Sequence, residues 1–321
     1  MVKTVPTISP LLSLYLDIVR FAAAVAVLAD HLVSFPITGD GSPRTGWQLI
    51  GNYGQTAVTL FFVLSGYVIA LVVTTREKDG FSYAVSRISR LYSVVVPALL
   101  ITWLCDRVGQ AIDPSFYAHP KILMKPPSGE GYLASLLFVN EFRIFQFGGI
   151  VPGSNAPFWS LSFEATYYLV AGLILFARRT VAVPLSILIL VCAGPTIAAL
   201  LPLWALGYVG YLYRDAAARI IRWPVATFVA SGLCILLIPL FMEPFTGSSL
   251  GLDLPFGRAE IPRDIGKDYA TAIAFALHIA AAKAMFADSD DAAHLFRSDR
   301  AHHSELMPPG RECLIDGLVC H

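Results

Sequence analysis

The feature that most constrains this chain is the recurrence of long apolar stretches with no ionised side chain. Residues 180–213 hold 34 consecutive positions without Asp, Glu, Lys or Arg, and residues 53–75 hold 23. A helix crosses the hydrocarbon core of a bilayer in about 20 residues. In lipid every backbone N–H and C=O must be bonded within the protein, which leaves helices and closed barrels as the spanning structures. These runs are continuous rather than alternating, so they predict helices. Runs over 11–35, 53–75, 91–105, 157–177, 180–213, 223–242 and 269–286 together predict an all-α, polytopic transmembrane helix bundle of about eight spans. The 34-residue run folds into two of them, with its turn expected between Pro195 and Pro202.

Composition supports this solvent assignment. Of 321 residues only 14% are charged and 56% are hydrophobic, against about 25% charged in an ordinary soluble domain. The 23 basic and 23 acidic side chains cancel and form no basic block, which argues against nucleic-acid binding by counterion release. Five cysteines without paired spacing imply neither a disulfide framework nor a zinc site. His302, His303, Cys313, Cys320 and His321 also lack zinc-ligand spacing.

Basic residues set the orientation. Arg76, Lys78, Arg87 and Arg90 follow the second span, Arg178 and Arg179 the fourth, and Arg214, Arg219 and Arg222 the sixth. By the positive-inside rule these loops are cytoplasmic, and with eight spans so are both termini. Loops 36–52, 106–156 and 243–268 then face outward. Residues 287–321 carry ten charged side chains in 35 positions and read as a polar, poorly ordered tail, so the membrane domain is expected over 1–286.

The first run holds charges that need a reason, since one at a helix centre costs about 2.5 to 3.5 kcal/mol on insertion scales. Arg20 and His31 are eleven residues apart, so they share a helical face about 16 Å apart along the axis. Asp17 lies one turn below Arg20 and can pair with it. The stripe Asp17, Arg20, His31 suits a polar path through a bundle: a buried cation can polarise a carbonyl, and a neutral imidazole can take a proton from a hydroxyl. It equally suits a structural polar network. Glu164 is the one acid in the stretch from Phe158 to Tyr168, and such a carboxylate is paired or held for proton transfer. Trp159, Tyr167 and Tyr168 read as belt or packing aromatics. Arg87 and Arg90, three apart at the cytoplasmic surface, can fork onto phosphate oxygens or simply set topology. Ser65 and Gly66 sit mid-helix, where backbones approach closely. His278 and Lys283 read as structural.

Four of these stretches, in order, resemble the acyltransferase-3 family of bacterial integral membrane O-acyltransferases: Leu16-Asp17-Ile18-Val19-Arg20 through His31; Phe61-Phe62-Val63-Leu64-Ser65-Gly66-Tyr67; Arg87-Ile88-Ser89-Arg90-Leu91-Tyr92; and Phe158-Trp159-Ser160-Leu161-Ser162-Phe163-Glu164. The resemblance implies transfer of an acyl group, commonly acetyl, from cytoplasmic acyl-CoA to a hydroxyl of a carbohydrate or similar acceptor, with no metal, in a bacterial inner membrane. It implies His31 as general base, Arg20 orienting the reacting groups, and Glu164 as a motif residue of the site. Arg87 and Arg90, with Ser65 and Tyr67, fall on the donor side, and Asp17, Trp159 and Ser160 support. The family usually has about ten spans and a closing helix with a glycine, serine, tyrosine and histidine pattern, whereas this chain turns polar at Ala287. Two other readings stay open: a transporter-like carrier, whose discriminator is that it needs no acyl-CoA, and a C-terminally incomplete remnant that inserts without activity.

Overall fold

The computed structural model describes residues 8–34, 53–117, 128–142, 149–241, 249–254, 257–262 and 265–305. The loop 36–52, expected to face outward, and the tail from 306, with Cys313, Cys320 and His321, lie outside the described residues. The side chains of His302 and His303 do too.

The expected bundle is present. Its long helices are α1 (Pro10–Ser34), α2 (Gly54–Thr75) and α3 (Gly80–Ile112). Two short helices follow, α4 (Pro114–Tyr117) and α5 (Gly129–Leu136), before α6 (Trp159–Phe176), α7 (Arg179–Ala193) and α8 (Pro195–Leu212). The chain then forms the short α9 (Arg214–Ile220), α10 (Pro224–Phe241) and α11 (Ile265–Glu305). Seven helices among the described residues are long and apolar enough to cross a membrane, and α7 is a shorter apolar helix of the same series. The exposed apolar side chains confirm which solvent they face: Leu100, Ile101 and Leu104 on α3 are more than half exposed, an arrangement stable against lipid tails.

Several boundaries differ from the sequence reading for local reasons. The 34-residue run breaks at Gly194, whose φ of 104° suits glycine, and Pro195 opens α8 where its missing N–H costs nothing. Pro184 and Pro202 lie inside helices. Helix α3 starts at Gly80, where the Asp79 carboxylate accepts from the Ser82 N–H at 2.8 Å, and it runs past Cys105 to Ile112. Asp106, expected at the start of a loop, is instead buried in that helix, accepting from Ser154 N at 2.9 Å and Ser154 Oγ at 2.6 Å. The stretch 243–268 carries an antiparallel hairpin, β1 (Ser249–Leu254) and β2 (Gly257–Pro262), paired from Ser249↔Pro262 to Leu254↔Gly257, with β2 against α8. Helix α11 continues across residue 287 to Glu305.

The centre is α2, packed between α1, α8 and α11. Its tightest approach is to α8. A Cβ built on Gly66 would land on the Trp204 carbonyl oxygen, and one on Gly207 would land on the Val63 carbonyl oxygen. The two glycines therefore let the backbones touch, as small residues do at membrane helix interfaces. Helix α6 packs against α3 and α7, tied to α3 by Tyr83, whose hydroxyl donates to the Tyr168 carbonyl at 2.9 Å.

Candidate active site

The Gly66–Gly207 crossing brings polar side chains together in the middle of the bundle. Trp204 Nε1 on α8 donates to Ser65 Oγ on α2 at 3.2 Å. Ser65 Oγ donates to the Tyr168 hydroxyl on α6 at 3.2 Å. The Tyr168 hydroxyl donates in turn to the Glu164 carboxylate one turn away. Arg90 on α3 stands 3.8 Å from Glu164, its side chain 54% exposed. Each hydroxyl donates once and accepts once, so the chain has one direction and ends on a carboxylate beside a cation. Such a relay can hold or move a proton at Glu164 and is costly to leave half-satisfied.

Sequence reasoning found Ser65, Glu164 and Arg90 but assigned Tyr168 to packing. Tyr168 is packed in the core as read, 3% exposed, and its hydroxyl in addition joins the other two. The available signal was its position one turn after Glu164, on the same face. Trp204 was missed because nothing in its own stretch marks it; only the helix crossing brings it to Ser65. Tyr67 is placed in the core, edge-on to Tyr211 with ring centroids 5.2 Å apart. Trp159 packs on Phe163, and Ser160 Oγ donates to the Pro157 carbonyl at 3.4 Å. Both shape the start of α6.

Arg87 lies elsewhere than a surface fork would. It is 6% exposed, pairs with Glu77 at 2.7 Å and lies between the rings of Tyr83 and Tyr168, 5.5 and 5.7 Å from their centroids. Its Nε has no hydrogen-bond partner. Glu77, in the turn before α3, was not singled out from sequence, although an acid there against an arginine ten residues on was the available hint.

On α1 the Asp17–Arg20 pair forms at 3.1 Å. Leu12, Leu16 and Ala23 define the buried face; Arg20 and His31 are half-buried beside it and Asp17 is exposed. The Asp30 carboxylate occupies the space a side chain on Gly54 would take, which fixes the register of antiparallel α1 and α2. Ten residues further along each helix, Arg20 falls level with Leu64 and Ser65, the depth of the relay, and His31 about 16 Å outward. Among the described residues no hydrogen bond or ion pair links Arg20 or His31 to Arg87, Arg90 or Glu164.

Near the outer end of α2, Gln55 Nε2 and Thr59 Oγ1 donate to Asp268 on α11 at 3.3 and 2.9 Å. Asp268 is 3% exposed and was also missed, lying one residue outside the last apolar run. His278 and Lys283 behave as expected of structural residues: His278 Nδ1 lies 3.0 Å from the Phe228 carbonyl and 2.9 Å from Ser231 Oγ, and Lys283 pairs with Asp215 at 3.5 Å. Among the described residues no group of His, Cys, Asp and Glu is arranged to hold a metal ion.

The helices and the relay between them define a multi-pass membrane protein with a polar centre. The family model described as an acyltransferase domain matches residues 13–282, and the chain belongs to this acyltransferase-3 family. It is also similar to the acyltransferase MdmB of Streptomyces mycarofaciens, 32% identical over 153 residues. That match covers 47% of this chain and 36% of the relative, so the chain matches little more than a third of the relative's length. No solved structure matches.

Proposed function

We propose that this protein moves an acyl group from cytoplasmic acyl-CoA to a hydroxyl of a carbohydrate or similar acceptor presented from the outer face of a bacterial inner membrane. The observation that carries the reading is the relay Trp204, Ser65, Tyr168, Glu164 and Arg90, in which Ser65, Arg90 and Glu164 come from three family-like motifs, level with Arg20 of the fourth. The family match over residues 13–282 supports acyl transfer over a carrier, and use of acyl-CoA is what separates the two.

In this reading His31 removes the acceptor's proton as its oxygen attacks the thioester carbonyl. The O–H bond breaks, the O–C bond forms, and the C–S bond breaks. The thiolate leaves and ends as free CoA thiol after taking up a proton. Arg20, restrained by Asp17, orients the donor at the level of the relay. The residues present fit the donor in part: Arg90 is exposed enough to meet a phosphate, whereas the outer nitrogen of Arg87 is committed to Glu77.

The test is transfer of label from radiolabelled acyl-CoA to lipid or glycan fractions by membranes containing the chain, beside the His31→Ala variant. Transfer by the wild type and loss of on the order of 100-fold or more in the variant, with both inserted equally, is the expected result. Equal transfer by both would remove His31 as the base. Transfer by neither would favour the carrier or remnant readings.

A further inference from the structure

A cavity of about 520 Å³ lies between α3, α6, Ile189 of α7 and the turn 137–142. Its wall is apolar except at a few points, and two of them, Arg87 and Tyr168, belong to the site described above. We propose that this chamber holds the acyl chain of the donor thioester and that the preferred chain is longer than acetyl. The proposal rests on the acyl-transfer reading and names the substrate class of the same site.

Three observations carry it. The first is size: at about 30 Å³ for a water-sized group, the chamber holds roughly seventeen such groups, far more than a methyl. The second is chemistry. Leu91, Phe138, Phe142, Leu169, Leu173 and Phe176 offer hydrocarbon, and Arg87 and Tyr168 bring polar groups of the site to the same wall. An acyl thioester has that complement, a hydrocarbon tail and one carbonyl acceptor. The third is construction. Phe138 adopts a φ of 59°, a left-handed conformation costing a bulky residue about 1–3 kcal/mol. It is held there with its ring edge-on to Tyr92, centroids 5.4 Å apart, and Tyr92 donates to the Leu136 carbonyl at 2.9 Å. The surrounding contacts hold a strained turn in the shape that lines the chamber. Ile88, Leu137 and Leu169 line it while remaining exposed, so the bilayer closes its side.

The experiment uses the full chain in phospholipid nanodiscs with two readouts. The first is a decanoyl-CoA carrying a terminal diazirine, photolysed and mapped by mass spectrometry. Adducts are expected in residues 137–142 and 165–176, competed by decanoyl-CoA and not by an equal concentration of acetyl-CoA, and reduced about tenfold in Ala84→Phe, which fills the chamber. The second is the transfer rate against chain length. The wild type is expected to prefer decanoyl to acetyl by on the order of 100-fold in kcat/KM, and Ala84→Phe to lower that ratio at least about tenfold. Ala165→Leu is the milder filling if the phenylalanine prevents folding. Adducts that map elsewhere, that persist under excess thioester, or that change only with the nanodisc lipid would overturn the proposal, the last assigning the chamber to a lipid tail. An unchanged chain-length ratio in a filled variant that still transfers would overturn it as well. Mapped, competed adducts without transfer from any donor would leave the chamber assigned and overturn the acyl-transfer reading instead.

Discussion

Arg87 shows how a single residue can be recognised from sequence and yet placed wrongly. Its motif partner Arg90 reaches the surface, but Arg87 is turned inward by Glu77 and by the rings of Tyr83 and Tyr168. Removing one member of a buried ion pair strands the other, at about 3–5 kcal/mol. Glu77→Gln is therefore expected to lower stability by that order, read as a fall in the midpoint of detergent-solubilised thermal unfolding, while Arg90→Gln shifts it by less than about 1 kcal/mol. Equal shifts would show that the Glu77–Arg87 contact is not a buried pair. Tyr168→Phe keeps the ring beside Arg87 but cuts the relay between Ser65 and Glu164. It is expected to lower transfer about 10- to 100-fold with little change in the unfolding midpoint, and wild-type turnover would reduce the relay to packing. The chemistry-bearing types at positions 20, 31, 65 and 164 were legible because a charge or hydroxyl inside an apolar run is costly in lipid and so marks a position that has a partner or a task, and Arg90 because it stands three residues from Arg87 at a run's edge. Tyr168, Trp204 and Asp268 were not, because aromatic rings are ordinary in membrane helices and an acid at a run's edge looks like a loop.

Among elements, the pairing of α2 with α8 decides whether the relay exists. Ser65 precedes Gly66 in sequence, and Trp204 lies one turn before Gly207, so the same contact that joins the backbones aligns the indole with the hydroxyl. Spans were legible at this scale since a run without charge maps directly onto a helix. Their partners were not, since pairing depends on which small residue faces which and two mid-helix glycines on separate runs carry no label of their mutual contact. Gly66→Ala and Gly207→Ala are each expected to destabilise by about 1–3 kcal/mol through overpacking and to lower transfer more than Gly210→Ala, where an added Cβ meets nothing within 4 Å. The measurement is unfolding midpoint and transfer rate for all three; equal behaviour of Gly210→Ala and Gly66→Ala would separate the crossing from the relay.

At the scale of the whole molecule the arrangement is a matter of depth. The register set by Asp30 against Gly54 puts Arg20 at the level of Ser65 and His31 about 16 Å further along, while Arg87 lies in the first part of α3 and Glu77 in the turn before it. An acyl group delivered at the arginine level must therefore reach toward His31, or the acceptor hydroxyl must descend, and which occurs depends on which end of the bundle is cytoplasmic. The basic residues of α9 argue that its end is, with α5 on the opposite side. Both elements offer an exposed position for a direct check, Arg219 on α9 and Glu130 on α5. In a cysteine-free background, a membrane-impermeant maleimide is expected to label Glu130→Cys once the outer membrane is opened and Arg219→Cys only after the inner membrane is broken. The reverse pattern would invert the bundle, put the Arg87 chamber on the outer side, and require the donor to enter from the end that carries His31.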